Sequence, residues 1–368
     1  MSEQRITVSI SNLLVILATG LMLVLLWQLR SLLVTLMVSV VLAASIVPVV
    51  NWAEKFGVPR WVATILTYLT LIGGLTGVGL LIGPTVIEQI DRLIRQLPVY
   101  LEALRLLVEN IAVRLSDNSP DLIRQFFNTQ ALTSWVFRSS QQLLLRSYGI
   151  TRGIVGGFFS LILSLFLSGY MVADSRTLIK SLVRLFPKPW DERLEAQVVP
   201  VSQRMGSYIR GRVLVSGILA LGTTVGLSFL GLQDFALGLG AIAGVTNLIP
   251  FLGPILGVVP ALIVAISQGG LLFLWVLILF VVIQNLETYV LDPLLVGSSV
   301  GVHPLFQLLS VLGGVQLLGI IGALIVPPWF AGAAALVENL YLRPKLMAER
   351  REAHAQAKAN TVPVAPST

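Results

Sequence analysis

The chain has 368 residues, of which 55% are hydrophobic and only 12% are charged, and its formal net charge is +7. Soluble proteins carry roughly 25% charged residues, so this composition is typical of a membrane protein. The absence of cysteine excludes disulfides and thiolate metal sites, and the two histidines, His303 and His354, do not form a cluster. We therefore expect no metal and no cofactor. Cytoplasmic loops of membrane proteins are rich in Lys and Arg, so the positive charge does not indicate nucleic-acid binding.

Residues 1–83 contain three apolar segments, at 13–29, 32–50 and 61–83. About 20 apolar residues in a helix cross the roughly 30 Å of hydrocarbon in a bilayer, so we interpret these segments as three transmembrane helices. The first apolar stretch is longer than the core of a signal peptide and no small-residue cleavage site follows it promptly. We therefore expect it to be retained.

Residues 84–149 change character and predict an extramembrane amphipathic helical hairpin. Apolar residues step by three and four along one stripe, close to a heptad repeat. The stripe comprises Ile87, Ile90, Ile94, Leu97, Leu101, Leu104, Val108, Ile111 and Leu115. Pro98 predicts a kink or two helices. A turn is expected at 116–121, followed by a second amphipathic segment. The hairpin either packs on itself or on the bilayer, or it associates with other copies through the stripe.

The remaining chain divides into four parts. Residues 150–173 form a fourth predicted span, and 174–212 form a basic cytoplasmic linker in which "FPKPW" separates two short helices. Residues 213–340 form a C-terminal transmembrane core with apolar segments at 213–231, 235–266, 271–290 and 305–337. Residues 341–368 are a polar tail whose end we expect to be disordered.

Counting each long interrupted segment as one crossing gives about eight transmembrane helices in an all-α integral membrane protein. With the N-terminus in the cytoplasm, the linker and the C-terminal tail also fall on that side and the hairpin falls outside. If the segment 235–266 is instead re-entrant, one crossing is lost. We expect a multi-pass protein of a bacterial cytoplasmic membrane with both termini inside.

The stretch "NLIPFLGPILGVVP" interrupts a long apolar run with prolines and glycines. Proline removes a helical hydrogen bond, and irregular backbone at membrane depth is tolerated only where protein or a water-filled cavity covers it. The stretch therefore predicts a discontinuous helix or a re-entrant turn, with Asn247 able to satisfy freed backbone groups. Such breaks often mark transport sites. The alternative is a kinked packing helix whose glycines allow close contact. The candidate pathway residues in this stretch are Asn247, Pro250, Gly253, Pro254 and Gly257.

A second constellation follows in "VIQNLETYVLDPLLVGSSVGVHPL", where Gln284, Glu287 and Thr288 share one helical face. A carboxylate at the end of an apolar span is costly and therefore suggests a functional site. The alternative is that Glu287 reaches a headgroup interface. No Lys or Arg lies within a helical turn, so the sequence predicts a carboxylate without a cationic partner. Further breaks are expected beyond it. The candidate pathway residues here are Gln284, Asn285, Glu287, Pro293 and Gly297.

Several stretches, spread over nearly the whole chain, resemble the autoinducer-2 exporter family of bacterial membrane proteins. They include "PTVIEQIDRLIRQLPVYLEAL", "YIRGR", "NLIPFLGPILGVVPALIVAI" and "QNLETYVLDPLLVGSSVGVHPLFQLLSVLGGVQLLGIIGALIVPP". The resemblance implies about eight spans, homo-oligomers (with a pentamer among the options) and export of small solutes, and some members are similar to sodium/proton antiporters. Family members often carry a basic residue after the proline that matches Pro293, whereas Leu294 and Leu295 follow here.

We therefore favour a transporter or exporter of a small polar solute. A first alternative is a sodium (cation)/proton antiporter, for which Glu287 is the best titrating candidate, followed by Asp292 and Asp234. A second alternative is an oligomeric membrane scaffold or regulator. The sequence has no phosphate-binding loop, no His-Glu-x-x-His and no Gly-x-Ser-x-Gly, so we do not expect an enzyme.

Overall fold

The computed structural model describes residues 10–115, 147–297 and 303–360. These residues form helices joined by short turns, and no strand occurs among them, so the expectation of an all-α membrane protein is confirmed. The expected turn at 116–121, the second arm of the hairpin and the end of the tail lie outside the described residues.

The first half of the described chain contains α1 (Ile10–Gln28), α2 (Arg30–Glu54), α3 (Arg60–Leu115) and α4 (Ser147–Ala173). The second half begins with the short α5 (Ser175–Val183), followed by α6 (Trp190–Phe229), α7 (Gln233–Asn247), α8 (Leu252–Gln268) and α9 (Gly270–Leu286). A π-helical segment, Glu287–Gly297, continues α9. The last helices are α10 (Pro304–Val337) and α11 (Arg343–Asn360), joined by a π-helical turn, Glu338–Leu342.

In the described part of the chain, five helices are long and apolar enough to cross a membrane, and a sixth span is reached if the bent pair α4–α5 is counted as one. This is fewer than the eight expected from the sequence. Part of the difference arises because the apolar helix Leu252–Gln268 is shorter than a full span. A helix of 17 residues is about 26 Å long at 1.5 Å per residue, less than the hydrocarbon thickness.

Helix α3 is continuous over 56 residues and contains both Pro84 and Pro98. Of the two alternatives expected at Pro98, a kink or two helices, the division into two helices is therefore wrong. Beyond Pro84 the helix contacts α7: the Gln89 side-chain oxygen accepts a 2.6 Å hydrogen bond from the backbone N–H of Gly238. The Tyr100 ring also meets Phe235 edge to face at 6.4 Å. The third span and the first arm of the predicted hairpin are thus one helix, and this arm packs on the C-terminal core.

The stripe that sequence periodicity singled out lies only partly on the face by which α3 packs on the core, because its members Ile90 and Leu97 are half-buried. Ile87 and Ile94 are 70% and 61% exposed, whereas Leu93 and Tyr100 are buried. Periodicity locates an apolar stripe but does not say which neighbour covers it, because two adjacent faces of the same helix both carry apolar residues.

Helices α7 and α8 form a tight antiparallel hairpin, which we call hairpin 1. A Cβ atom added to Gly257 would lie 2.9 Å from the Ala243 Cα, and the Thr246 hydroxyl donates to the Gly253 carbonyl at 3.1 Å. Glycine lets the two backbones approach, because any side chain would separate them. At the tip, the N–H of Leu252 donates to the carbonyl of Pro250 at 2.8 Å across Phe251, whose φ is +65°. An i→i+2 bond with positive φ is a γ-turn of the rare, strained kind.

Helix α10 also doubles back, at Gly319, which has φ +65° and ψ −146°. Its arms, 304–318 and 320–337, pack against each other: the Phe306 and Phe330 rings stack at 6.0 Å, and Gly314 faces the backbone of Gly322. In a straight helix, positions eight residues apart would be about 12 Å apart. The 304–337 segment is therefore a second hairpin, hairpin 2, rather than a simple crossing.

The predicted division of the linker into two short helices is wrong in its second half. Helix α5 is short and lies at 85° to the apolar helix before it. Helix α6, however, starts at Trp190 and runs without interruption through 40 residues. The linker after "FPKPW" and the fifth predicted span are therefore one helix. Pro200 lies inside this helix without ending it.

The largest buried apolar cluster surrounds hairpin 1. It joins Leu93 of α3, Leu227 of α6 and Leu239 of α7 with Val264 of α8 and Val276 of α9. Smaller clusters pack α2 against α4 and join α6 to the π-helical segment. Hairpin 1 is thus held between α3, α6 and α9, with its tip directed toward the polar residues described below.

The glycine contact in hairpin 2 can be tested with adjacent residues. Gly314→Ala should lower the free energy of unfolding by about 1–3 kcal/mol, because the added methyl group meets the backbone of Gly322. Gly313→Ala is the matched control, since nothing lies within 4 Å of an added Cβ there. The thermal midpoint of each variant in detergent gives the answer. Equal midpoints for the two variants would contradict the doubled-back arrangement.

Candidate functional site

Arg212 lies at the centre of a buried polar network and is only 4% exposed. It occupies the middle of α6, with apolar residues following it toward Phe229. A buried guanidinium is tolerated only when its charge and its N–H groups find partners, because removing an unpaired ion from water is very costly. Its partners come from two other parts of the chain.

The first partner is Glu287, whose Oε1 lies 3.0 Å from Arg212 Nη1. Asp292 Oδ1 lies 3.3 Å from the same nitrogen. The Asn247 side-chain oxygen accepts a 3.3 Å hydrogen bond from Nη2, while its amide nitrogen donates to Glu287 Oε1 at 3.1 Å. Gln284 donates to the other oxygen of Glu287 at 3.4 Å. The network therefore ties α6 to the end of α7 and to the segment that follows α9.

The π-helical segment explains why two carboxylates five residues apart reach one guanidinium. In an α-helix, residues five apart point about 140° away from each other, since each residue turns the chain by about 100°. A π-helix closes its hydrogen bonds over five residues, so Glu287 and Asp292 come to the same side. The wider turn is what makes the double contact with Arg212 geometrically available.

Gly211 brings α6 close to that segment. A Cβ atom at this position would lie 2.8 Å from the carbonyl carbon of Leu295 and 3.1 Å from a Val296 methyl group. The glycine therefore sets the helix separation at which the neighbouring guanidinium reaches both carboxylates.

The network has unequal charge and unequal exposure. One guanidinium faces two carboxyl groups, so the fully ionised cluster would carry one excess negative charge. The Glu287 side chain is 4% exposed and receives three donors, whereas the Asp292 side chain is 38% exposed and has Arg212 as its partner. Glu287 is thus the buried counter-ion of Arg212, and Asp292 is the more exposed of the two carboxyl groups.

The residues predicted from sequence fall into three groups in the structure. Asn247, Gln284 and Glu287 come together at Arg212. A second group builds hairpin 1 beside them, and it comprises Pro250, Gly253, Pro254 and Gly257. The third group does not join the network: the exposed Asn285 amide donates to the carbonyl of Val281, and Pro293 and Gly297 are exposed.

Two expectations about this network are wrong. Asn247 does not satisfy the freed backbone groups of the tip. The N–H groups of Leu248, Ile249 and Gly253 donate to nearby backbone carbonyls instead. Glu287 does have a cationic partner, which comes from a helix 75 residues away in sequence. A search within one helical turn could not find Arg212. Its only sequence signal was a basic residue in "YIRGR" directly before an apolar stretch, which resembles an ordinary loop boundary.

Within the described residues, no group of three or more His, Cys, Asp or Glu side chains is placed to hold a metal ion. The two carboxylates of the network already face a guanidinium. The arrangement is suited to hydrogen bonding and charge compensation.

The family model for AI-2E family transporters matches residues 14–342. The chain belongs to this transporter family. A Bacillus subtilis (strain 168) protein named "Putative transport protein YrrI" is 31% identical over 309 residues, covering 81% of this chain and 84% of that protein. A second B. subtilis protein, YueF, is 27% identical and covers 83% of each chain. The MT0215 protein of Mycobacterium tuberculosis (strain CDC 1551 / Oshkosh) is 27% identical and covers 86% of each.

The match to the AI-2E family covers the network and both hairpins. This AI-2E family protein is therefore a multi-pass membrane transport protein. Its relatives are named as transport proteins without a stated substrate.

Removal of the central cation provides a test of the network in this AI-2E family protein. Arg212→Met should destabilise the protein by about 3–5 kcal/mol, because Glu287 and Asp292 lose their common counter-ion inside the protein. Arg212→Lys should fall between this variant and the wild type, since a point charge replaces the forked donor. Thermal unfolding in detergent measures both effects.

The control is Arg92→Met, which breaks an exposed i,i+4 pair with Glu88 and should change stability by no more than about 0.5 kcal/mol. A similar loss of stability for Arg92→Met and Arg212→Met would show that the buried network stabilises the protein no more than an exposed ion pair does.

Proposed function

We propose that this protein moves a small polar solute across the membrane along a path that passes the tip of hairpin 1 and the Arg212 network. The observation that carries the proposal is the cluster of a buried guanidinium, the buried Glu287 and the partly exposed Asp292 at the end of an interrupted helix. Ionisable residues inside a membrane protein are costly and usually mark a substrate or ion path.

The hairpins support this proposal through their backbone. Tip residues 248–251 leave the α-helical pattern, and such backbone is tolerated at membrane depth only where it is covered by protein or faces a water-filled cavity. The chain order also repeats: the long helix α6 precedes hairpin 1, and the long α9 with its π-helical extension precedes hairpin 2. Repeats of interrupted helices around a shared polar site are common in secondary transporters.

Free hydrogen-bonding groups beside the network support a polar rather than an apolar solute. Arg212 Nε and the hydroxyl of Ser216, four residues later on the same helix, are buried and have no partner among the described residues. A buried donor or hydroxyl without a partner destabilises the protein by about 1–3 kcal/mol, and a hydrogen bond from a bound polar molecule would offset this cost.

The finer assignments rest on the family and on exposed surfaces. We propose export of a small solute of the autoinducer-2 kind, although Leu294 and Leu295 replace the basic residue that family members often carry. We also propose a homo-oligomer in a bacterial cytoplasmic membrane with both termini inside. The exposed Ile87 and Ile94 of α3 support this assembly, because apolar surface outside the membrane is usually covered by a partner.

The absence of native cysteine allows the path to be tested directly. Ile249→Cys, at the tip of hairpin 1, should react with a membrane-impermeant maleimide, because a transport path brings water to this point. Ile255→Cys is the control, since this residue is 63% exposed on α8 and is expected to face lipid. Labelling is measured in proteoliposomes, together with efflux of a panel of small polar solutes.

Reaction at the tip should block efflux of the transported solute. If the tip and the control label equally, or if complete labelling of Ile249→Cys leaves every flux intact, the proposed path is wrong.

A second candidate function is exchange of a cation for a proton, and the excess carboxyl group in the network favours it. Asp292 is the group best placed to exchange, because it is partly exposed and has fewer hydrogen-bond partners than Glu287. The sequence alone favoured Glu287 for this role. The three donors on Glu287 support a role as the buried counter-ion of Arg212 instead.

Conservative amide variants separate these roles. Asp292→Asn should abolish flux driven by a proton or sodium gradient while keeping most of the protein folded, because it removes exchange but retains size and polarity. Glu287→Gln should instead destabilise the fold, since it leaves Arg212 without its closest counter-ion. Gradient-driven flux and the thermal midpoint are measured for both variants. Full gradient-driven flux in Asp292→Asn would leave solute transport without cation exchange as the better description.

A further inference from the structure

A short amphipathic segment follows the fourth apolar helix at nearly a right angle. Helix α5, Ser175–Val183, is bent by 85° relative to Phe159–Ala173. Because the preceding helix is long and apolar enough to count toward a span, a helix perpendicular to it runs parallel to the membrane surface. The segment 175–193, which we call the interfacial segment, therefore starts at the depth where headgroups lie.

The apolar and basic residues of α5 occupy opposite sides. At 100° per residue, Leu178, Ile179, Leu182 and Val183 fall within one arc of about 140°. The basic residues Arg176 and Lys180 lie on the other side of α5, and Arg184 and Lys188 follow its C-terminal end. A helix with this division, and with bulky apolar residues beside Lys and Arg, is suited to lie in a bilayer interface.

The apolar side is only partly covered by the protein itself. Val183 is buried, but Leu182 is 62% and Leu185 is 78% exposed. Phe186 and Trp190 extend the same surface, and the Arg193 guanidinium lies 5.5 Å from the centre of the Trp190 ring. Tryptophan is enriched at the headgroup level of membranes, since its ring combines apolar area with a polar N–H.

The charge of the segment favours an anionic surface. Residues 175–193 contain five basic side chains and only two acidic ones, Asp191 and Glu192. Two basic residues meet carboxylates only at long range: Arg176 lies 3.9 Å from Glu54, and Lys188 lies 4.0 Å from Glu192. Lys180 and Arg184 are exposed and make no ion pair among the described residues.

We propose that the interfacial segment binds the anionic headgroups of the bilayer, with Leu182, Leu185 and Phe186 inserted among the upper acyl chains. Lys180, Arg184 and Lys188 then contact phosphate groups. This lipid site is separate from the Arg212 network and does not depend on which solute is transported. A second copy of the chain is a poorer occupant, because two such segments would bring their basic rows together and repel each other.

The test uses an environment-sensitive fluorophore on Leu185→Cys, the single cysteine of the full-length protein, in nanodiscs. Nitroxide-labelled lipids with a phosphatidylglycerol or a phosphatidylcholine headgroup are added at equal, low mole fraction. The anionic lipid should quench the probe at least about twofold more than the zwitterionic lipid, since each Lys or Arg near the surface attracts anionic lipid. Raising the salt concentration should reduce this ratio, because ions screen surface charges.

The charge dependence is tested by the combined substitutions Lys180→Gln, Arg184→Gln and Lys188→Gln, which should bring the quenching ratio to about one. The matched control removes three exposed basic charges from α11, Lys345, Arg350 and Arg351, and should keep the ratio of the parent protein. Equal thermal midpoints of the two variants exclude loss of folding as the cause.

Three outcomes would overturn the proposal. The two lipids could quench the parent protein equally, or neither lipid could quench it. Alternatively, the Leu185→Cys variant could form crosslinked dimers across the segment, which would place a second copy on this surface.

Discussion

The C-terminal half of the protein depends on one buried cation. Arg212 is removed from water in the middle of a 40-residue helix. Glu287 and Asp292 balance its charge, and the Asn247 side-chain oxygen accepts one of its hydrogen bonds. A guanidinium at this depth without partners would be very costly. The relative positions of α6, α7 and the segment after α9 are therefore linked, because moving any one of them leaves a charge or an amide unpaired.

Glycines provide the second constraint, since they set how closely the helices approach. Gly211 lets α6 reach the π-helical segment, Gly257 lets α8 reach α7, and Gly314 lets hairpin 2 close. In lipid, helices gain little from the hydrophobic effect, so close packing of small residues carries much of the association. The polar network and the glycine contacts act together: close approach brings the polar groups within bonding distance, and their pairing holds the helices there.

The fold class and the positions of the breaks could be predicted from sequence because they depend on local chemistry. Low charge, apolar runs of span length and prolines next to Asn247 are all readable along the chain. The pairing of Arg212 with Glu287 was not readable, because it joins distant helices and depends on a change from α to π geometry. An interruption of the segment 305–337 was expected, but its place at Gly319 was not, since glycines in an apolar run more often serve packing than a turn. Sequence placed Gln284 on the same helix face as Glu287, but it did not identify the cation that pairs with this carboxylate.

The γ-turn at Phe251 has a consequence for motion. A phenylalanine at φ +65° occupies a backbone region that costs about 1–3 kcal/mol, and the residue is 42% exposed rather than locked in the core. This raises the free energy of the observed tip relative to its alternatives, so neighbouring conformations lie closer to it than they would for a relaxed turn. Hairpin 1 therefore combines two closely packed helices with a tip whose backbone is strained at Phe251. Conformational change in this region should begin at Phe251 and not along the helices.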